Sequence, residues 1–286
     1  MTNRRFFTKR RKDHVKDFLT HIVLIILIFI INIPIFSMVG TALKTEEEAI
    51  STTTLFPEWG HWSLENIITV LSRTVFPQNL LNSGIVAVIV TLVCIIVASS
   101  AGYAISRFHT RFFKAFGTLL LLLQIFPTVL LLLPLFILFS NFGITNSLLS
   151  LILCYTTMNL AFSTWMMSGF FDTIPTELEE AGMVDGCSQF QAFRRLILPV
   201  SLPGVATVGI FTFINAWNEY TIASIMIKKA ELRTMTLGLQ QFVQEYTSDW
   251  ALLMAASTIA MIPTLLGLIF AQKYLVKGMT AGAVKG

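Results

Sequence analysis

Four carboxylates, Glu177, Glu179, Glu180 and Asp185, fall within nine residues and surround two small ones, Ala181 and Gly182. The chemistry open to them is a charged contact: small residues let another backbone approach closely, while carboxylates meet basic groups. A helix lying on a membrane surface would instead carry Lys and Arg on its polar face. The other reading of the cluster is a solvated acidic face that only turns the chain. Nothing beside it suggests catalysis or a metal centre, since His14, His21, His61 and His109 are scattered without ligand spacing. No cofactor is implied. Cys94 and Cys154 lie in apolar runs and Cys187 in the acidic stretch, which suggests neither a structural disulfide nor a cysteine metal site.

The local code around the cluster is helical. Thr176 and Glu179 have capping-box spacing just after Pro175, and Gly186 is placed to end the helix they begin. Ser188 and Gln191 form a second such pair, followed by Phe190, Phe193, Leu196 and Ile197 at spacings of three and four. Pro199 and Pro203 then stop that helix, so two short helices flank a glycine turn.

What must position these helices is membrane. The 286 residues are 55% hydrophobic and only 13% charged, with 24 Phe and a mean hydropathy of +0.73. Crossing a hydrocarbon core takes about 20 apolar residues, and six windows qualify, at 19–43, 79–105, 115–139, 147–170, 204–227 and 251–274. Helices satisfy their own backbone in lipid, and the alternating segments of a β-barrel are missing. The first window is too long for a signal peptide and has no clear A-x-A site. Fifteen of the twenty Lys and Arg fall on the side that holds the N-terminus, which puts both termini and the acidic stretch in the cytoplasm. Seven of them crowd the first 16 residues, an anchor beside anionic lipid rather than a nucleic-acid site. Pro34, Pro127, Pro134 and Pro263 mark kinks within the spans.

The chain shows no energy source of its own. A P-loop needs G-x-x-x-x-G-K-[ST] after a strand, and "GMTAGAVKG" at 278–286 has the wrong spacing. One acidic residue, Glu219, lies inside a window. It shares a helical face with Thr212 and Asn215, and Asn218 lies beside it. With Gln124 of the third window, these residues make either a polar wall of a translocation path or hydrogen bonds between helices. Thr156, Thr157, Asn159, Ser163 and Thr164 read first as packing residues. An alternative function is a self-sufficient secondary transporter or channel in which Glu219 couples the ion. An intramembrane enzyme finds no support in histidines or paired aspartates.

"EEAGMVDGCSQFQAFRRLILPVSLPG" resembles the EAA loop of ABC-importer permeases, with Glu180, Ala181, Gly182, Gly186, Ile197 and Pro199 in the motif's positions and Gly182 replacing its second Ala. "QIFPTVL" at 124–130, "WNEY" at 217–220 and the ending "YLVKGMTAGAVKG" are similar to the MalG-type subunit of carbohydrate importers. The resemblance implies an all-α membrane protein with six transmembrane helices in the type I ABC-importer permease fold. A basic cytoplasmic N-terminus (1–18) precedes the permease domain (19–274), which carries the coupling loop (172–203), and a cytoplasmic tail (275–286) follows.

It further implies a subunit of an ATP-driven, binding-protein-dependent sugar importer that works by alternating access in the bacterial or archaeal cytoplasmic membrane. Its partners would be a MalF-like second permease, a cytoplasmic ATPase dimer, an extracytoplasmic sugar-binding protein and lipid. Glu179, Glu180, Ala181, Gly182, Asp185 and Gly186 would dock on the ATPase. Thr280, Ala281, Gly282 and Lys285, in a tail too glycine-rich for a stable helix, would insert between its subunits. The outer loop from Lys228 to Trp250, with Gln240, Gln241, Phe242 and Tyr246, would reach towards the binding protein.

Overall fold

The computed structural model describes the backbone of residues 3–243 and 249–283, and the side chains of 16–243 and 249–272. Among the described residues the chain is helical, with no β-sheet. A long helix α1 (Asn3–Ala42) leads to two short ones, α2 (Glu46–Ser51) and α3 (Glu65–Arg73), and then to α4 (Phe76–Arg107). Next come α5 (Arg111–Ile125), α6 (Thr128–Asn141) and α7 (Leu148–Asp172). The polar stretch holds α8 (Glu177–Val184), α9 (Gln189–Ala192), a π-helical turn (Phe193–Ile197) and α10 (Leu198–Val200). The remainder is α11 (Leu202–Trp217), α12 (Thr221–Met226), α13 (Met235–Leu239) and α14 (Trp250–Ala283).

Among the described residues four helices are long and apolar enough to cross a membrane, Lys16–Ala42, Phe76–Arg107, Leu148–Asp172 and Trp250–Gln272, and two bent pairs raise the number to six if each is one span. The third window is one of those pairs: α5 and α6 meet at 97°. Pro127 lacks an N–H and pushes Phe126 into extended backbone (φ −71°, ψ 126°), which breaks the helix rather than kinking it. Pro34, Pro134 and Pro263 sit inside continuous helices. The fifth window is also divided, because α11 ends at Trp217 and α12 starts at Thr221. Pro199 and Pro203 bracket the end of the second short helix: the run Gln189–Val200 stops one residue after Pro199, and α11 begins at Leu202 after a 74° bend, with Pro203 in its first turn, where a missing N–H costs nothing.

Two compact units divide the chain, Met1–Arg73 with Phe242–Ile259, and Thr74–Gln241 with Ala260–Gly286. In the first, nearly every α1 side chain from Lys16 to Pro34 is exposed, a mostly apolar surface suited to lipid or to another membrane helix. In the second, α4 and α7 make the most extensive helix pair and α11 packs on both. Val86, Val90, Cys94 and Ala98 recur every four residues on the buried face of α4, the spacing of one helix side. Gly102 allows the closest approach: a Cβ there would stand 2.8 Å from the Met167 Cβ and 2.8 Å from the Ser168 backbone N. Ser163 and Thr212 hydroxyls, 3.1 Å apart, join α7 to α11, and the Trp217 indole donates to the Ala260 carbonyl at 3.1 Å. These are the small residues and polar bonds by which helices associate where lipid supplies no hydrophobic drive.

The glycines of α4 give a direct check of this crossing. Gly102→Val should destabilise by about 1 to 3 kcal/mol, the usual cost of forced overpacking, and lower the thermal midpoint in detergent. Gly84→Ala, where nothing lies within 4 Å of the added Cβ, should hold or raise it; equal losses in the two would rule out the Gly102 crossing.

Candidate functional site

The acidic stretch folds as two short helices around a glycine turn. Gly186 has φ +89°, a conformation glycine adopts freely, and it closes α8 with two bonds: Cys187 N to Gly182 O and Gly186 N to Met183 O, both 3.0 Å. The second capping pair forms, with Gln191 N donating to Ser188 Oγ (3.3 Å) and Ser188 N to Gln191 Oε1 (2.9 Å). The first does not. Thr176 makes no side-chain cap, its backbone being helical (φ −68°, ψ −25°) rather than extended, and the Glu179 carboxylate, which would complete the box, is turned inward.

There Glu179 accepts from Arg107 Nε at 2.5 Å and from the Tyr103 hydroxyl at 2.7 Å. The Arg107 and Glu179 side chains are only 9% and 7% exposed. Arg107 also donates to the Phe171 carbonyl at the end of α7, which accepts from Ile174 N as well, and to the Ile174 carbonyl just beyond it, at 3.1 and 3.0 Å. Ser106 completes the cluster by donating to Asp172 Oδ1 at 2.5 Å. The expectation that Glu179 faces a partner is therefore corrected: a buried guanidinium needs a buried carboxylate, and Glu179 is that carboxylate. Tyr103 and Arg107 had no signal in the sequence beyond the topological weight of one basic residue.

Gly182 is corrected as well. It is buried, and a Cβ at this position would lie 2.4 Å from Leu196 Cδ1, so the departure from the motif's Ala makes room for Leu196 of the same chain. Glu180, Ala181, Asp185 and Gly186 remain exposed. So do apolar Met183 and Val184, the latter at 87%.

A second site lies at the bend between α5 and α6. A cleft of about 520 Å³ brings Gln124, Asn159 and Asn215 together with Phe126, Phe162 and Phe211. Asn215 Nδ2 donates to Asn159 Oδ1 at 3.2 Å, Asn159 Nδ2 to the Tyr155 carbonyl at 2.8 Å, and the Phe162 and Phe211 rings pack at a 38° tilt with centroids 4.4 Å apart. Of the residues expected on a path, Gln124 and Asn215 meet here. Asn218 and Glu219 do not line it. Asn218 Nδ2 donates to the Ile214 carbonyl at 2.9 Å. Glu219 lies beyond the end of α11, so the helical face it was expected to share with Thr212 and Asn215 does not exist. Its carboxylate accepts from Ile222 N (2.8 Å) and Ala223 N (3.2 Å), starting α12.

The tail residues Thr280, Ala281 and Gly282 continue α14, whose backbone is helical to Ala283 against the expectation that so many glycines would end it. Their side chains and all of Lys285 lie outside the described residues, as does Tyr246. Phe242 is buried and Trp250 half-exposed.

Adjacent glutamates of unlike environment supply a test. Glu179→Leu strands the buried Arg107 charge and should cost about 3 to 5 kcal/mol, whereas Glu180→Leu on the exposed face should stay within about 0.5 kcal/mol. Thermal unfolding of the two purified variants measures both; equal shifts would remove the internal pair.

Residues 94–281 match the family described as binding-protein-dependent transport system inner membrane component. The sulfoquinovosyl glycerol transport system permease protein SmoH of Agrobacterium fabrum is 34% identical over 86% of each chain. The maltose/maltodextrin transport system permease protein MalG of Escherichia coli is 33% identical over 96% of this chain and 98% of its own. In solved structures, the fold is similar to that of a chain in a bacterial ABC transporter involved in the import of the acidic polysaccharide alginate. The TM-score is 0.77 at 19% identity, covering 92% of this chain and 98% of that one. An all-helical chain, with four to six candidate spans and a polar helical elbow between two of them, belongs to the inner-membrane permease components of binding-protein-dependent ABC importers.

Proposed function

We propose that the chain imports a sugar or oligosaccharide as one of two permease subunits, driven by a separate cytoplasmic ATPase dimer and supplied by an extracytoplasmic binding protein. The observation that carries this reading is the exposed face of α8. Glu180, Ala181 and Asp185 stand beside uncovered Met183 and Val184, a small apolar patch with carboxylates, suited to a basic cleft on a protein. Beneath that face, the Arg107–Glu179 pair fastens α8 to α4, so a load on the loop passes into the helix pair that holds the second unit together. Closure of the ATPase dimer would move α8, and α4 with it, between inward-open and outward-open arrangements. Both termini and α8 would face the cytoplasm of a bacterial or archaeal cell.

Sulfoquinovosyl glycerol and maltodextrin, for which the transport systems of the two relatives are named, are glycosides, which supports a sugar here. The cleft fits that class, since amides bond hydroxyls and aromatic faces meet the apolar faces of sugar rings. Gln124 and Asn215 would contribute to the path. Residues 228–250 would meet the binding protein: Asn82 Nδ2 holds the Glu231 and Arg233 carbonyls at 2.9 Å each, and Asn146 Oδ1 accepts from Lys228 N and Lys229 N. The loop is thus presented on a fixed base. Thr280 to Gly282 and Lys285 would reach the ATPase interface at the end of α14. The ion-coupling alternative has no observation in its favour, because the Glu219 carboxylate is already engaged by two backbone N–H groups.

Glu180→Lys should abolish sugar uptake and lower retention of the ATPase in the detergent-purified complex, while the chain itself still folds. Full retention would overturn the docking face. Glu219→Gln keeps an acceptor for one N–H, so substantial uptake should remain, insensitive to a protonophore at constant ATP; loss of uptake with the protonophore would favour ion coupling instead.

A further inference from the structure

The segment between α1 and α4 is built around a buried cation. Lys44, 1% exposed, donates from Nζ to Thr52 Oγ1 at 3.0 Å and to the Thr54 carbonyl at 2.7 Å. Asn66 of α3 donates to the Ala42 and Lys44 carbonyls at 3.1 and 2.7 Å, and Ser63 N donates to the Leu43 carbonyl at 2.9 Å. Glu48 Oε1 accepts from Glu58 N at 2.7 Å. A Cβ at Gly40 would lie 1.8 Å from the Leu55 carbonyl oxygen, so this stretch lies directly on the last turns of α1. The segment is therefore a folded module held at the membrane boundary by the helix that crosses it.

Its outward face is apolar. Asn66 and Val70 turn inward on α3, and the opposite side carries Leu64, Ile68 and Leu71 at spacings of four and three, all exposed. Phe56 and Trp62 stack beside them, with ring centroids 6.3 Å apart, and both are exposed. We propose that this face, Leu64, Ile68 and Leu71 with Phe56 and Trp62, lies in the interfacial layer of the lipid bilayer and anchors the module to the membrane surface. Three observations select lipid as the occupant. The module is pinned to Gly40 and Ala42, about two turns beyond Pro34, where the exposed apolar surface of α1 ends, so it lies where that span leaves the membrane. Trp is the side chain that favours the boundary between headgroups and acyl chains. The exposed ionisable residues of the module, Glu46, Glu47, Glu58, His61, Glu65 and Arg73, are mostly acidic, so apolar area rather than attraction to anionic headgroups would hold it.

The anchor stands apart from the importer reading and is tested separately. Nitroxide labels are placed singly at Ile68→Cys, Leu71→Cys and, off that face, Arg73→Cys in a Cys187→Ser background. The full chain is purified with its copurifying subunits and reconstituted in phosphatidylcholine nanodiscs. Labels at 68 and 71 should be relaxed by oxygen in preference to an aqueous nickel chelate, with a positive depth parameter, whereas the label at 73 should show the reverse. The depth parameters at 68 and 71 should not change on adding phosphatidylglycerol or salt. Preferential access of nickel to 68 and 71 would overturn the anchor. Exclusion of both relaxants would do so too, since it would mean that a protein covers the face. As a measurement without labels, brominated phosphatidylcholine should quench wild-type fluorescence by a larger fraction than that of Trp62→Phe, and an equal fraction would count against the proposal.

Discussion

Taking a guanidinium out of water costs several kcal/mol unless its protons are met, and Arg107 meets this demand with one carboxylate and two helix-end carbonyls. Three separate pieces of chain are thereby obliged to stay together. The end of α4 supplies the arginine, the end of α7 the carbonyls, and α8 the carboxylate. Around the cluster lie Tyr103, Phe171 and Phe193, whose rings pack edge to face or tilted within 4.5 to 6.1 Å. The geometry of the polar elbow is inherited from this one contact.

Packing elsewhere follows a different logic with the same outcome. Along α4, α7 and α11 the helices are drawn together by small side chains and single polar bonds, with Gly102 against Met167 and Gly204 against the Phe170 ring at 2.5 Å from a would-be Cβ. Neither contact leaves slack. Motion imposed at α8 therefore has little room to dissipate before it reaches the crossing of α4 and α7, since close-packed interiors transmit strain. The cleft at the bend of α5 and α6 stays open within this unit, and two of its amides, Asn159 and Asn215, sit on α7 and α11, the helices that such motion would shift.

Hydropathy made the membrane class and the approximate spans legible, because twenty apolar residues admit few other uses. Turn chemistry was equally readable where one residue decides it, as at Gly186 and at Ser188 with Gln191. The misses arose where the outcome depended on a distant partner. Thr176 and Glu179 have ideal capping spacing, yet a buried arginine seventy-two positions earlier claims the carboxylate. Glu219 sits in an unbroken apolar run, but its carboxylate begins a new helix instead of facing a path. Pro127 was visible as a kink, while the 97° turn it produces goes with the packing of α5 on α7 and α4 and of α6 on α12, which no local pattern encodes.

The π-helical turn at Phe193–Ile197 sets how the elbow can tolerate change in length. A π turn holds one residue more than an α turn of the same rise, and here it lies between the glycine-closed α8 and the 74° bend into α11. Losing a single residue within it would return the turn to ordinary helix with the flanking segments kept in phase, because the wide turn is what absorbs the extra residue. The change would fall on the side chains the turn itself presents. Leu196 lies against Gly182, and Phe193 packs on the rings of Tyr103 and Phe171. Natural variation there should therefore keep an apolar side chain at each of those two contacts while the length differs by a residue.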